Sequence, residues 1–473
     1  MYKLLLFLIL CSSFSFFIPG ESYSEALTAG DTLCIVRKIA YSGNKHTKEK
    51  ILRRELMFFE GDTLSHNELD KLIEKTRENM LNTSLFNFVY VDTAFSKESY
   101  SRVDITYKVI ERWYLWPFPV IKMADRNFNT WLQSGDPERM TYGFYLQKDN
   151  FRGKREKLVA SYITGYEKAF GFSYEIPYLT KQQHVGLIVE VTYKKNHTVP
   201  YDSYNNKLLE IRDKEYYLQT SLTSSLRLTF RKGIHHYHYL SLIHSRFDFS
   251  DTLLHLNPEY SFPLNKSPEY LSISYRFKAD FRDFQPYPLT GYYFDFEVTK
   301  HGLDLLGNTS PNQLVVKSSL KKYWQIFPRW NYAASVTGKM SFQEYQPFFM
   351  MKGLGYENDF VRGYEYYVVD GENYLLVRND IKWTLLKTRV GQIGFIPESV
   401  GKIHYTIYLT AFTDVAYTKT ARFDNLNFLA NRWIQGSGLG INVVTYYDKV
   451  FRFEVSRNHK GETALFMHFV API

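Results

Sequence analysis

The sequence predicts a membrane all-β protein: a 16-stranded antiparallel transmembrane β-barrel preceded by a small α+β domain of element order β-α-α-β-β. Three observations lead there. Aromatic residues make up 18% of the 473 residues, with 39 Tyr and 37 Phe. The mean hydropathy is nevertheless negative, which excludes a bundle of membrane helices. From residue 113 onward, apolar and polar residues alternate in runs of about 10–15, where soluble strands average about 5–6 and lipid-crossing strands need roughly 9–11. Only one face of such a strand meets lipid, and open sheet edges are not tolerated there, so the sheet must close.

The chain starts with Met1-Tyr2-Lys3, an apolar core from Leu4 to Leu10, and a Ser- and Phe-rich exit to Pro19-Gly20. This is the pattern of a secretory signal peptide over residues 1–24, cut between Pro19 and Ala26, and it is too short for a spanning helix. Cys11 follows Leu10 where a lipoprotein signal wants a small residue, which argues against lipidation. Cys34 is then the last cysteine left, so no internal disulfide and no cysteine-based metal site are expected; it reads as a small buried strand residue. The formal net charge is +9. Its Lys and Arg are spread without long runs, so nucleic acid is not expected as a partner, and the basic side chains suit a lumen or charged lipid head groups.

Residues 31–112 form the small domain. A strand over 34–41 ends at Ser42-Gly43-Asn44, and Thr47 is expected to cap a helix over 48–56. Gly61-Asp62 breaks the chain, and Ser65 caps a longer helix with Leu69, Leu72, Ile73, Thr76 and Met80 on one face. Strands over 88–95 and 103–110 complete a three-stranded sheet covered by two helices.

In residues 113–473, the stretch 270–284 shows the alternation clearly. Leu271, Ile273, Tyr275, Phe277, Ala279 and Phe281 are apolar, and Ser272, Ser274, Arg276, Lys278, Asp280 and Arg282 are polar. Strands are expected near 119–132, 140–148, 156–165, 170–178, 184–195, 215–230, 235–249 and 270–284. Eight more lie near 291–303, 312–327, 330–343, 372–387, 403–418, 433–447, 449–458 and 463–472. The total is even, as bacterial barrels require. Between them, W-Y-x-W-P-F-P (113–119) and A-D-R-N-F-N-x-W (124–131) read as a stiff linker and an interfacial aromatic girdle.

The longest late gap, 344–371, is rich in Gly and aromatics and contains Val361, Arg362, Gly363 and Tyr364. Long loops of this kind are often functional. The alternation turns Asp380 inward with Arg378 and Lys382, although Asn379 interrupts the apolar face, and it turns Asp414 inward on the next strand. One loop Arg and two lumenal carboxylates can make a charge-assisted clamp, since a guanidinium fork matches a carboxylate. The plainer reading is a solvated Arg and two Asp residues lining a wet pore.

Several motifs together resemble the POTRA module and barrel of the BamA/TamA superfamily of outer-membrane assembly and translocation proteins. They are I-x-Y-S-G-N-x-x-T (39–47), R-E-L (54–56), G-D-x-L (61–64), N-x-S-L-F-x-x-V-x-V (82–91), V-x-Y-x-V-x-E-R-W (103–113), Q-K-D-N-F-R-G (147–153), V-R-G-Y (361–364) and F-x-D-x-A (412–416). The resemblance implies that the 361–364 loop folds back into the lumen and that Arg362 contacts Asp380 and Asp414, which favours the clamp. Two departures leave the client open. There is one POTRA domain where relatives carry two or several, and the chain ends at Ile473, with Phe469 four positions earlier, where many barrels end in an aromatic.

His235, His236 and His238 cluster without a third ligand, so no metal or other cofactor is expected. No G-x-S-x-G, H-E-x-x-H or phosphate-loop pattern appears, and no enzyme is expected. The expected function is insertion of outer-membrane proteins. A client polypeptide is accepted at the POTRA sheet edge and enters through a seam between the first and last barrel strands. The alternatives are a transporter for a dedicated partner polypeptide and a passive porin. Expected partners are unfolded outer-membrane or secreted polypeptides, the lipid bilayer, and accessory periplasmic or lipoprotein subunits. The expected place is the outer membrane, with the POTRA domain in the periplasm.

Overall fold

The computed structural model describes residues 33–96, 99–123, 140–306, 311–343, 346–356, 358–392, 402–421, 427–445 and 449–470. The leader segment with Cys11, the stretch 124–131 and Ile473 lie outside them. The described chain divides into two compact units. One comprises the residues up to Ala40 with 57–75 and 91–107, and the other comprises 41–56, 76–90 and everything from Lys108 onward.

The small domain contains β1 (Leu33–Ser42), α1 (Glu49–Arg53), β2 (Thr63–Ser65), α2 (His66–Asn82), β3 (Phe86–Ser96) and β4 (Ser99–Glu111). Its sheet has four strands in the order β2-β1-β4-β3, one more than the sequence suggested. The addition is β2, which pairs antiparallel with β1 through Leu33↔Ser65, Cys34↔Leu64 and Ile35↔Thr63. Three residues are too few to show a period of two, so its pairing is legible only in three dimensions. Alternate strand residues Cys34, Val36, Val103, Ile105 and Tyr107 are fully buried, as are Leu69 and Met80 of α2. Ser65 accepts the Glu68 amide at 3.2 Å and so caps α2. Thr47 does not cap α1, which starts after Lys48 with no side-chain cap. Thr47 instead donates its hydroxyl to Glu111 at 2.6 Å, and its amide donates to the same carboxylate at 2.7 Å. The Thr of one motif and the Glu of another are thus a single contact. Gly43 lies at φ +87°, and a Cβ there would stand 2.0 Å from the Val109 carbonyl oxygen, so only glycine fits that turn.

The barrel strands are β5 (Leu115–Met123), β6 (Met140–Phe151), β7 (Glu156–Gly165), β8 (Glu167–Ile176) and β9 (Val185–Asn196). After a two-stranded hairpin, β10 (Thr198–Tyr204) and β11 (Lys207–Arg212), come β12 (Gln219–Lys232) and β13 (His236–Phe249). A short helix, α3 (Asp251–Leu256), precedes β14 (Glu269–Asp280), β15 (Gly291–His301), β16 (Gln313–Phe327) and β17 (Trp330–Ser341). The last are β18 (Asn373–Gln392), β19 (Lys402–Lys419), β20 (Trp433–Thr445), β21 (Val450–Asn458) and β22 (Thr463–Val470). Sixteen of these make one antiparallel sheet running from β5 to β22, in which each strand pairs with its neighbours in sequence apart from the excluded hairpin. Every one of the sixteen expected segments overlaps one of its strands.

The alternation separates two faces. Phe144, Phe170, Leu242, Ile273, Leu439 and Met467 stay exposed on the outer face, as a lipid-facing wall needs, whereas Ser272, Ser274, Asp414 and Ser456 are buried on the inner one. Asn379, the polar interruption of the outer face of β18, accepts a hydrogen bond from the Tyr332 hydroxyl at 2.7 Å, which meets its need for a partner. No described helix is long and apolar enough to cross a membrane.

The proline-bearing segment read as linker belongs to the wall. Pro117 and Pro119 lie within β5, opposite Leu146 and Phe144. The Asp149 amide donates to the Tyr114 carbonyl at 2.7 Å. Because antiparallel pairs alternate, even-numbered residues of β5 therefore bond to β6 and odd-numbered ones turn their backbone to the opposite edge. Both prolines remove N–H donors from that outer edge.

Within the larger unit, residues 46–55 contact turns at the strand ends near the start of the barrel. Asn150 donates to the Thr47 hydroxyl at 2.8 Å, and the Lys48 amide donates to the Gly153 carbonyl at 3.0 Å. A Cβ on Gly153 would stand 2.1 Å from the His46 carbonyl oxygen, which explains the glycine of Q-K-D-N-F-R-G. Glu55 is buried and receives both terminal nitrogens of Arg231 at 2.8 Å, with Arg155 at 3.8 Å. Burial alone would raise the Glu55 pKa, but the Arg231 charge and its hydrogen bonds outweigh that and hold it below the ordinary carboxylate value.

Candidate functional site: a loop clamped to the inner wall

The site is made where the loop between β17 and β18 packs against the inward faces of β18 to β22. Leu354, Val361, Tyr364, Tyr367 and Val369 of the loop share a buried apolar cluster with the inward-facing Tyr374, Leu376, Ala416 and Ile434. The loop thus carries its own hydrophobic face. A short bridge between Leu354 and Val369 closes it on itself. At its upper end, Asn206 at the tip of the β10–β11 hairpin bonds to both backbone groups of Val368, and it also binds the Leu429 amide and the Asn427 side chain.

Arg362 is 4% exposed and sits at the centre. Its Nε and Nη2 donate to the two oxygens of Asp414 at 2.8 and 2.6 Å, and its Nη1 donates to Asp380 at 2.7 Å. The Arg362 amide adds a further bond to Asp414 at 3.1 Å. The guanidinium lies over the Phe412 ring, 3.8 Å from its centroid. The fork is therefore used on both prongs, as a bidentate contact to one carboxylate and a single contact to the other.

The structure adds a third carboxylate. Glu454 on β21 is 3.8 Å from Arg362 Nη1, and Arg452 and His468 stand beside it at 3.8 and 3.6 Å. The signal was present in the sequence, since Arg452, Glu454, Ser456 and Asn458 are the polar positions of an alternating strand. Arg378 backs Asp414 at 3.9 Å and donates to the Asn358 and Phe360 carbonyls at 2.7 and 2.5 Å.

Room for the clamp comes from β20, whose inward positions 436, 438 and 440 are all glycine. Gly436 faces Asp414 in register, and a Cβ there would lie 1.8 Å from the Arg362 carbonyl oxygen. Gly438 faces Phe412, and its Cβ would meet that ring at 2.6 Å. Gly363, at φ +93°, turns the chain next to Arg362, and its amide donates to Glu365 at 2.7 Å. Tyr364 bonds to His459, Tyr367 donates to Glu462 at 2.8 Å, and Asn458 donates to the Gly363 carbonyl at 3.1 Å. The turn between β21 and β22 is thereby tied to the loop. Farther along β22, His468 stacks on Phe360 and Phe466 packs against Tyr366, with ring centroids 5.6 and 5.2 Å apart.

The three histidines at the start of β13 are occupied by other contacts. His235 binds the Asp280 carbonyl, His238 binds the Tyr275 hydroxyl, and His236 stacks on Phe277. Among the described residues no group of three or more metal-ligating side chains converges.

The POTRA family, described as a surface antigen variable number repeat, matches residues 34–112. Over most of its length the chain is similar in fold to solved structures, among them the following two. One is BamA from Haemophilus ducreyi lacking POTRA domains 1–3, at 16% identity and a TM-score of 0.53, covering 92% of this chain and 84% of that one. The other is CdiB from Escherichia coli, at 14% identity and a TM-score of 0.55, covering 92% of this chain and 75% of that one. Residues 34–112 thus belong to the POTRA family, and the chain has the fold of BamA and CdiB, in which a POTRA domain precedes a 16-stranded antiparallel barrel.

Proposed function

We propose that this protein works in the outer membrane, with its POTRA domain in the periplasm, as an insertion factor. It accepts unfolded client polypeptide and admits it at the seam between β5 and β22 without catalysing a reaction. The observation that carries this reading is the outer edge of β5. Its alternation directs residues 115, 117, 119 and 121 toward the seam, and two of those four positions are prolines. An edge with half of its donors missing pairs weakly, so the seam is the place where the wall parts at lowest cost. The prolines also point their rings to the lipid side, where Val would be accepted. The double substitution Pro117→Val and Pro119→Val restores both donors without loading the lumen.

The expected result is a barrel more resistant to heat in detergent, together with lower steady-state amounts of other outer-membrane barrels in cells that carry it as their sole copy. Unchanged client levels with a demonstrably stiffer barrel would count against insertion at this seam. A second reading, translocation of a dedicated partner through the lumen, is favoured by a loop whose side-chain bonds to the wall can be broken one at a time. Depletion followed by outer-membrane proteomics separates the two: broad loss of barrels supports insertion, and loss of one secreted protein supports translocation. A freely conducting porin is disfavoured by the loop packed on its inner wall.

A further inference from the structure

Beside the Arg362 clamp, the inner wall carries a second arrangement that shares Arg378 with it. Lys317 on β16 and Lys339 on β17 are direct cross-strand partners, and both point inward. Like charges in that position repel and are disfavoured unless something between them compensates. Arg378 on β18 and Lys321 on β16 both pair in register with Ser335 of β17, which places four cations on three adjacent strands. On the other side Glu297 of β15 stands opposite Lys317 in register and accepts the Ser274 hydroxyl at 3.0 Å, while Asp295 pairs with Arg276 at 2.5 Å. Lys321 lies over the Tyr293 ring at 5.3 Å.

The loop adds to that compensation. Lys317 binds the Asp359 carboxylate at 2.5 Å, and Lys339 donates to the Lys352 carbonyl at 2.6 Å. Arg378 donates to the Asn358 and Phe360 carbonyls, as described above. Three of the four acceptors are backbone oxygens, which any polypeptide offers, and the fourth is a carboxylate. The bound segment is neither helix nor strand. Its Lys352, Asn358 and Phe360 carbonyls turn to the wall.

We propose that the Lys317–Lys339–Arg378 stripe is a binding site for an extended acidic polypeptide segment, which the protein's own loop occupies in this structure. The stripe reads backbone carbonyls without regard to sequence and selects for carboxylates through Lys317 and its repelled neighbour Lys339. Lys317 and Arg378 also have the wall carboxylates Glu297 and Asp414 beside them, whereas the loop meets Lys339 with a carbonyl, so a client that brings a carboxylate to that position competes for the stripe. This site goes beyond the seam and stands whether the client is inserted or passed through.

The test uses the full chain with residues 346–371 replaced by a short Gly-Ser linker, reconstituted in planar phosphatidylcholine bilayers. Equal-length Asp/Ser and Lys/Ser peptides are added, and current blockade is read. The acidic peptide is expected to block at roughly tenfold lower concentration than the basic one, the size expected when about two partly exposed ion pairs are made. Lys317→Gln with Lys339→Gln should abolish that difference, and Lys194→Gln on β9 should leave it intact. Equal blockade by both peptides, or an acidic preference that survives the double substitution, overturns the proposal. If the shortened chain does not refold, the intact chain gives the answer. An acidic peptide that displaces the loop should speed tryptic cleavage after the exposed Lys352 several-fold, and a basic one should not. No change in that rate also overturns it.

Discussion

Replacing Arg362 by Ala leaves Asp414, which has no exposed surface, without the two side-chain bonds that hold it. Asp380 loses its bond at 2.7 Å, and Phe412 loses the cation above its ring. Breaking a buried pair from one side generally costs about 3–5 kcal/mol, because the remaining charge has neither water nor partner. Here three carboxylates share the loss, but Arg378 remains 3.9 Å from Asp414 and Arg452 remains 3.8 Å from Glu454. That residual compensation places the expected cost near the lower limit, about 3 kcal/mol, or on the order of a hundredfold in the unfolding constant. The assay is guanidinium unfolding of the full chain in detergent, read by tryptophan emission, with tryptic release of the loop as a second probe. Arg362→Lys is the informative companion. An ammonium is a point charge and cannot serve both Asp414 oxygens and Asp380 in the planar geometry of the fork, so it should recover less than half of the loss. An unfolding midpoint for Arg362→Ala equal to that of the parent, with the loop still protected from trypsin, would refute the reasoning.

Three further outcomes are expected. Gly436→Ala should expel the loop as Arg362→Ala does, because its Cβ would lie 1.8 Å from a backbone oxygen, while Gly338→Ala, with nothing nearer than 3.8 Å, should be silent; single-channel conductance distinguishes them. Glu55 has a folded-state pKa below its ordinary value of 4.5, so its contribution is complete above that value and is lost as pH falls through the lower folded one. Amide exchange over α1 should therefore accelerate as pH is lowered beneath about 4.5 after correction for intrinsic rates, and Glu55→Gln should remove that dependence at the cost of faster exchange at neutral pH. Gly43→Ala forces a Cβ to 2.0 Å from the Val109 carbonyl at a positive φ and should destabilise the small domain by about 1–3 kcal/mol, measured by thermal unfolding.

The wall of this protein is legible because lipid on one side and water on the other impose a period of two on every strand, and Asp380 and Asp414 follow from parity alone. What escaped lay where that pressure is absent. The β10–β11 hairpin pairs outside the wall, contains Pro200 and shifts register between Pro200 and Asp202, so no clean alternation marks it. Its signal was the turn, Asn205-Asn206, where both residues have positive φ, as a two-residue hairpin turn demands. Thr47 looked like a helix cap because its position in sequence fits one, but the Glu111 carboxylate, 64 residues away, competes for the same hydroxyl. Glu454 lies on the polar face of its strand but in no motif, and only its position 3.8 Å from Arg362 singles it out. The prolines of β5 were assigned to a linker because proline argues against strands, and only the register with β6 shows that both fall on the edge where no donor to β6 is needed.

The bonds from Tyr364, Tyr367 and Gly363 to His459, Glu462 and Asn458 join the loop to the hairpin turn that carries the terminal strand. Two parts that share contacts are thermodynamically reciprocal: whatever free energy the docked loop lends to the ordering of β22, an ordered β22 lends back to loop docking. A ligand that pulls the loop away therefore loosens the last strand by the same amount, and anything that frays β22 lowers the work needed to move the loop. Loop docking and the order of the last strand are set by a single equilibrium.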